Sequence, residues 1–509
     1  MRGAMSESLA SSEGPAPDAA EHRPQVMLAE GLTREYLLHH KLCPRALAED
    51  GTLLVATAPG ALMDGLGDVA FAYERRVKAE EASLAEVERL IERITTRAER
   101  SIELARAGAS GADDDYTADV RDLANQPPVV RYVNLLVRDA YDAHASDIHL
   151  EPTRNGLAAR FRLDGVLMPA PEPPGRLHHA VVSRVKLLAE LDIAERRRPQ
   201  DGRIRVKLES RELDLRVSTV PTMYGESVVL RLLDHGGRPV ALDELGMSPA
   251  VHGTMRRLAQ RPHGMLLVTG PTGSGKTTTL YAALQMRDAS REKIITVEDP
   301  IEYQLAGVAQ VPVHRQAGVS FASALRAILR QDPDVVMIGE MRDRETAEIA
   351  VQAAMTGHLV FSTMHTNDAV GAVPRMLDLG LPEYLVASTL EGVLAQRLVR
   401  RVCPACRVPY APAPEQVAAL AGQPIMGVTL TRGAGCAECR GTGFRGRIGV
   451  FELLIIDDDL REAITQRAPR SRMRSLAADG GMVPLRTDGW QKVQAGHTTV
   501  EEVLRVIQE

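Results

Sequence analysis

The run Gly270-Pro-Thr-Gly-Ser-Gly275-Lys276-Thr277 fits the pattern G-x-x-x-x-G-K-[ST] at every fixed position. Glycines at these places let a backbone curl around phosphate oxygens. Its N–H groups and the N-terminus of a following helix then face negative charge. In such a loop Lys276 reaches the β- and γ-phosphates, and the Thr277 hydroxyl is placed for Mg2+. Gly270, Pro271, Thr272, Gly273, Ser274, Gly275, Lys276, Thr277 and Thr278 therefore make a candidate cradle for ATP. An apolar run precedes it and a helical run follows, which is the context the pattern requires.

A cradle alone binds; hydrolysis also needs a group that orients water and charge that steadies the transition state. Asp334-Val-Val-Met-Ile-Gly-Glu340 reads as a buried strand ending in a carboxylate, which would face the phosphates from the C-terminal end of a parallel sheet. A second acidic cluster, Val297-Glu298-Asp299-Pro300-Ile301-Glu302-Tyr303, also follows a strand. Carboxylates this close repel, and Mg2+ or an arginine nearby would relieve them. Thr356 to Thr366 carries His358 and His365 at opposite ends of one apolar run, and residue type alone separates neither from a structural histidine.

Cys403-Pro-Ala-Cys406 and Cys436-Ala-Glu-Cys439 have the knuckle spacing of a four-thiolate Zn2+ site, structural because no position is left for a substrate. Free thiols or a redox pair are the alternatives. Cys43 has no partner at such spacing and reads as a buried apolar residue.

The elements that position these groups follow from the pattern of the whole chain. Its 509 residues exceed one core. Residues 1–25 lack the apolar content to order and read as a disordered leader. Residues 26–105 form a small N-terminal α/β domain, with a strand at Leu53 to Ala56 and a helical stripe at Leu84, Val87, Leu90, Ile91 and Ile94. A Gly/Ala/Asp-rich linker spans 106–120. Residues 121–237 alternate as strands and hairpins, with a turn at Asp164-Gly165. Residues 238–400 alternate strand and helix, which predicts a mainly parallel sheet covered on both faces. The cysteine module occupies 401–450 and a helical subdomain 451–509. No apolar run spans a bilayer and no signal peptide is evident, so a cytoplasmic protein without direct membrane insertion is expected. A net charge of −6 and an aromatic content of 3% argue against a nucleic-acid partner.

These motifs, in this order, resemble the ATPases of type II secretion and type IV pilus assembly from about Arg121 onward. The family's aspartate box is similar to Thr296 to Tyr303, its Walker B segment to Asp332 to Asp343, and its histidine box to Thr356 to Thr366. Ser146 to Pro152 and Arg197 to Arg203 also resemble family signatures. The resemblance implies a RecA-like P-loop core preceded by a PAS-like α+β domain. It implies Glu302 as the base that activates water, Glu340 at Mg2+ and the γ-phosphate, and His365 near that phosphate with His358 farther back. It further implies that Arg216 and Arg231 neutralise phosphate charge when the preceding domain closes. The cysteine module favours the assembly and secretion branch over the retraction ATPases of pili. The repeats that mark cyclic-di-GMP-binding relatives are not seen, which favours type II secretion over pilus extension.

By the same resemblance the assembly is a homo-hexamer peripheral to the inner membrane. Its N-terminal domain would dock on a single-span membrane protein, and a polytopic platform protein would receive the motion that drives pseudopilus assembly. A RecA-like nucleic-acid motor and a scaffold that binds ATP without hydrolysing it are the rival readings.

Overall fold

The computed structural model describes residue 32, residues 34–94 without 49, 63, 74 and 93, and residues 127–507 without 174–176, 209–210, 235–239, 315–316, 424 and 426. The expected leader and linker lie outside these residues. The chain folds into two compact units.

The first unit carries a three-stranded sheet of β1 (Leu42–Leu47), β2 (Leu53–Thr57) and β3 (Val77–Glu81), in that order. β1 and β2 pair antiparallel; β2 and β3 pair parallel, and the helix Asp64–Tyr73 makes the crossover that parallel strands need. Residues 84–92 are helical, and Val87, Ile91 and Ile94 bury one stripe against Leu37, Val55 and Val69. Leu84 stays exposed at the helix start. Cys43 is fully buried, and burial pushes its thiol up to about 12, as fits an inert apolar packer.

The second unit begins with a six-stranded antiparallel sheet. Its strands are β4 (Asp147–Thr153), β5 (Gly156–Leu163), β6 (Val166–Pro169), β7 (Gln200–Leu208), β8 (Arg211–Thr222) and β9 (Gly225–Asp234), ordered β6-β5-β4-β9-β8-β7. Asp164 and Gly165, with φ of 48° and 86°, make the tight turn of the β5–β6 hairpin, as two positive φ values demand. Alternation does the rest: Ile148, Leu150, Phe161, Leu215, Val217 and Leu230 are buried on one face. The opposite face carries a cross-strand row in which Arg162 pairs with Asp147, Asp147 with Arg231, Arg231 with Arg216, and Arg216 with Arg203.

The larger sheet uses β10 (Gly264–Thr269), β11 (Ile294–Glu298), β12 (Ala309–Pro312), β13 (Val335–Ile338), β14 (Leu359–Met364) and β15 (Leu390–Val402). A short pair follows, β16 (Arg407–Tyr410) with β17 (Leu430–Gly433), and then β18 (Phe444–Ile455). The order β12-β11-β13-β14-β10-β15-β18 is parallel up to β15. β18 then runs antiparallel to β15 over its whole length. The alternation of strand and helix thus predicts the parallel part; the long last strand returns from beyond the cysteine module to close the edge. The boundary expected at residue 450 falls inside β18. Fully buried strands such as β10, β13 and β14 read as continuous apolar runs because helices cover both faces.

Candidate nucleotide and metal sites

β10 ends at Thr269 and the helix Lys276–Leu284 begins seven residues on, so the loop between them turns at the C-terminal edge of the sheet. Gly270, Gly273 and Gly275 all take positive φ, at 149°, 79° and 86°. Space also excludes side chains: a Cβ on Gly270 would meet the Gln396 carbonyl at 2.5 Å and Ser274 Oγ at 2.6 Å. The helix start has no side-chain cap, so its first N–H groups are left for an anion. Ser274 Oγ is buried without a hydrogen-bond partner, a further polar atom that a bound group could satisfy. Lys276 Nζ donates to the loop carbonyls of Gly270 at 2.8 Å and Pro271 at 3.0 Å. Burial brings its pKa down to about 8, with Glu340 opposing and Arg397 reinforcing the shift. Thr277 and Thr278 stand on the first turn of the same helix. The cradle therefore fits MgATP by its glycines, its uncapped helix and its buried lysine.

Neighbouring strand ends bring three more candidates to this edge. Glu340 follows β13, with Arg342 Nε at 2.6 Å and His365 Nε2 at 3.6 Å from its two oxygens. His365 follows β14; burial, and then the Lys276 charge, lower its pKa, while Glu340 raises it. Glu302 keeps contact with solvent, yet the protein packed around it raises its pKa. Arg231, and more weakly Arg216, act against that rise, whereas Glu298 adds to it. Both arginines of the six-stranded sheet are thus within electrostatic reach of Glu302. Arg231 is held by Asp147, with Nε 3.0 Å from the carboxylate.

Repulsion within the acidic cluster is relieved in two ways. Glu302 lies within electrostatic reach of Arg231 and Arg216, which favour its charged form. Glu298 is buried and takes hydrogen bonds from neutral donors instead of a cation. Asp334 and Asp343 are also structural: Asp334 accepts the Lys293 N–H at 2.7 Å, and Asp343 caps the helix Arg344–Met355 through the Thr346 N–H at 2.8 Å.

The structure does not bring His358 to this group. It lies just before the N-terminal end of β14, its carbonyl accepting the Gly264 N–H at 3.1 Å, about 20 Å of strand away from the loop edge. Its Nδ1 sits 2.9 Å from the Ala353 carbonyl and 3.1 Å from Thr356 Oγ1, closing the helix Arg344–Met355. Two residues that motif spacing passes over lie beneath the loop. Gln396 Oε1 accepts from Thr279 Oγ1 at 2.6 Å, and buried Arg397 donates to the carbonyls of Val506, Asn367 and Gln396. Their signal is a buried polar pair between the apolar runs Val393 to Ala395 and Leu398 to Val399 of β15.

The four cysteine sulfurs lie within 4.8 Å of one another. Cys403 to Cys436 is 3.9 Å, Cys406 to Cys439 is 3.8 Å, and Cys436 to Cys439 is 3.7 Å. A tetrahedral ion with Zn–S bonds of about 2.3 Å requires sulfurs about 3.8 Å apart, so the donor set and its spacing fit zinc. N–H groups of Gly435 and Gly443 point at Cys406 and Cys439 at 3.3 and 3.2 Å, which favours thiolates.

Loop, lysine, acid and histidine converging at the C-terminal edge of a parallel sheet define a P-loop ATPase. The family model described as type II/IV secretion system protein matches residues 122–505. A type II secretion system protein E from Xanthomonas campestris pv. campestris is 45% identical over 495 residues, covering 96% of this chain and 87% of that protein. A type II secretion system ATPase E from Vibrio cholerae is 49% identical over 391 residues, covering 77% and 78%. The type IV pilus assembly ATPase PilB of Myxococcus xanthus is 42% identical over 485 residues, covering 91% and 86%. Among solved structures, the pilus retraction motor PilT with bound ADP aligns at a TM-score of 0.50 and 26% identity, covering 73% of this chain and 95% of that one. This chain belongs to the type II/IV secretion ATPase family and is an ATPase.

Proposed function

We propose that the chain is the ATP-hydrolysing motor of a type II secretion system, working as a homo-hexamer on the cytoplasmic face of the inner membrane. Its product would be motion, passed to a polytopic platform protein to assemble the pseudopilus. The N-terminal unit would dock on a single-span membrane protein. Among the described residues no helix is long and apolar enough to cross a membrane, so attachment through such partners suits the chain. The 45% identity to a type II secretion protein across 96% of the chain supports this branch. Pilus extension is the second reading, favoured by the Myxococcus relative of similar span.

The observation that carries the mechanism is that Glu302 follows β11 at the same sheet edge as Lys276, Glu340 and His365, within electrostatic reach of Arg231 and Arg216. Lys276 would leave the carbonyls of Gly270 and Pro271 for the β- and γ-phosphates. Glu302, its pKa raised by the protein packed around it, would orient water and take its proton. Arg216 and Arg231 would neutralise charge developing on the phosphoryl oxygens, and Glu340 with His365 would line the pocket's far side. Thr277 would hold Mg2+, which would supply charge that neutralises the phosphates. Zn2+ held by Cys403, Cys406, Cys436 and Cys439 would be structural.

Steady-state phosphate release tests this reading. Glu302→Gln should retain ATP binding and lose at least about a hundredfold in turnover; turnover like the wild type removes Glu302 from the role. Phospholipid plus the cytoplasmic domain of a type II secretion single-span protein should raise turnover of the unaltered chain. Stimulation only by the pilus counterpart of that domain would favour extension instead.

A further inference from the structure

Between the P-loop helix and the loop that carries Glu302 lies a buried polar cluster with no part in holding the nucleotide. Glu298, at the end of β11, is 2% exposed. Its Oε1 accepts from Thr296 Oγ1 at 2.6 Å and from Gln310 Nε2 at 3.1 Å. Its Oε2 accepts a short bond from the hydroxyl of Tyr281, a fully buried residue of the helix Lys276–Leu284. Gln310 stands on β12 beside Thr296 and reaches further. Its Nε2 also donates to the Tyr303 carbonyl at 3.1 Å and approaches the Tyr281 hydroxyl at 3.3 Å, while its Oε1 accepts the Leu305 N–H at 2.8 Å. The Tyr303 ring meets the Tyr281 ring edge-on, centroids 4.6 Å apart.

A buried carboxylate is tolerated where its lone pairs are filled, and Glu298 fills both oxygens with protein donors, leaving it no need of a metal. A single carboxamide holds the main chain at Tyr303 and Leu305, immediately after Glu302. The same network ends on the helix that begins with Lys276. The geometry points to Tyr281, Glu298 and Gln310 as a positioning clamp that sets the Glu302 carboxylate relative to the P-loop. They are positioning residues for hydrolysis, acting through Glu302, and the proposal rests on the role given to Glu302 above. A water-orienting group displaced by an ångström loses a large part of its effect, so a clamp of this kind has a kinetic signature.

The experiment compares full-length Gln310→Leu, Tyr281→Phe and Glu298→Gln with the parent chain and with Glu302→Gln. It records kcat, KM, ATP affinity and the pH profile of kcat. Gln310→Leu keeps the volume and deletes all four side-chain hydrogen bonds. It should lower kcat about 10- to 100-fold while KM and ATP affinity stay within about threefold. Tyr281→Phe removes one oxygen, leaves the packing intact, and should give a smaller loss of the same kind. The charged groups within electrostatic reach of Glu302 are Glu298 from β11 and Arg231 and Arg216 from the six-stranded sheet, and the phenols of Tyr281 and Tyr303 lie near it as well. Removing the Glu298 charge should therefore shift the acid limb of kcat to lower pH. The clamp is overturned if Gln310→Leu and Tyr281→Phe keep the parent kcat and acid limb, or if ATP affinity falls in proportion to kcat. If Glu302→Gln turns over like the parent, the underlying assignment fails instead. Loss in Glu302→Gln with none in the clamp variants refutes the clamp alone.

Discussion

At the N-terminal edge of the large sheet, Asp334 binds the Lys293 N–H and His358 closes the end of a helix. At the C-terminal edge, the same residue types meet a different environment. Glu340 and His365 approach one another beside Lys276, and the protein packed around these groups shifts Lys276 down, His365 down and Glu302 up. The two histidines are seven residues apart on one strand segment, yet one caps a helix and the other borders a phosphate cradle. Strand direction makes the difference. In a parallel sheet every strand delivers its last residue to the same edge, where the loops open and the helix N-termini converge.

The contrast breaks most sharply at Lys276. Lys276→Ala should weaken ATP binding by at least about a hundredfold and abolish measurable turnover, read by nucleotide titration and phosphate release. If binding survives, the C-terminal edge is not the phosphate site. A subtler change comes from pH. Burial lowers the Lys276 pKa to about 8, and bound phosphates favour its charged form, so binding should take up a proton above that pH. ATP affinity should hold below about pH 8 and weaken as pH rises beyond it; calorimetry in buffers of different ionisation heat would show the proton uptake. The smallest effect belongs to the other edge. His358→Ala should cost about 1 kcal/mol of stability in denaturant titration and leave ATP affinity within about twofold. A loss of affinity comparable to that of Lys276→Ala would erase the distinction between the edges.

Much of this was legible because chemistry at the cradle demands spacing. Glycines at 270 and 275 followed by Lys276 have few other uses, and the apolar run of β13 ending in Glu340 marks both strand and acid. The paired cysteines likewise announce their own proximity. Other features depend on contacts between distant segments, which a linear pattern does not encode. Nothing local marks Gln310, whose partners lie in a helix, a strand and a loop before it in sequence. The roles of His358 and His365 depend on which end of β14 each occupies. β18 joins the sheet antiparallel because it returns after the cysteine module, a route that strand–helix alternation does not foretell.

That return has a consequence for how the fold can vary. Val402 and Phe444 are cross-strand partners, so the chain leaves and re-enters the sheet at one register position. The four cysteines gather the excursion just outside that point. In topological terms the module is an insertion between two paired strands, tied back where Leu420 and Leu430 pack into the core of the large sheet: the exposed loops between these anchors can change while the pairing of β15 and β18, and the Gln396 and Arg397 that β15 carries beneath the phosphate loop, keep their registration.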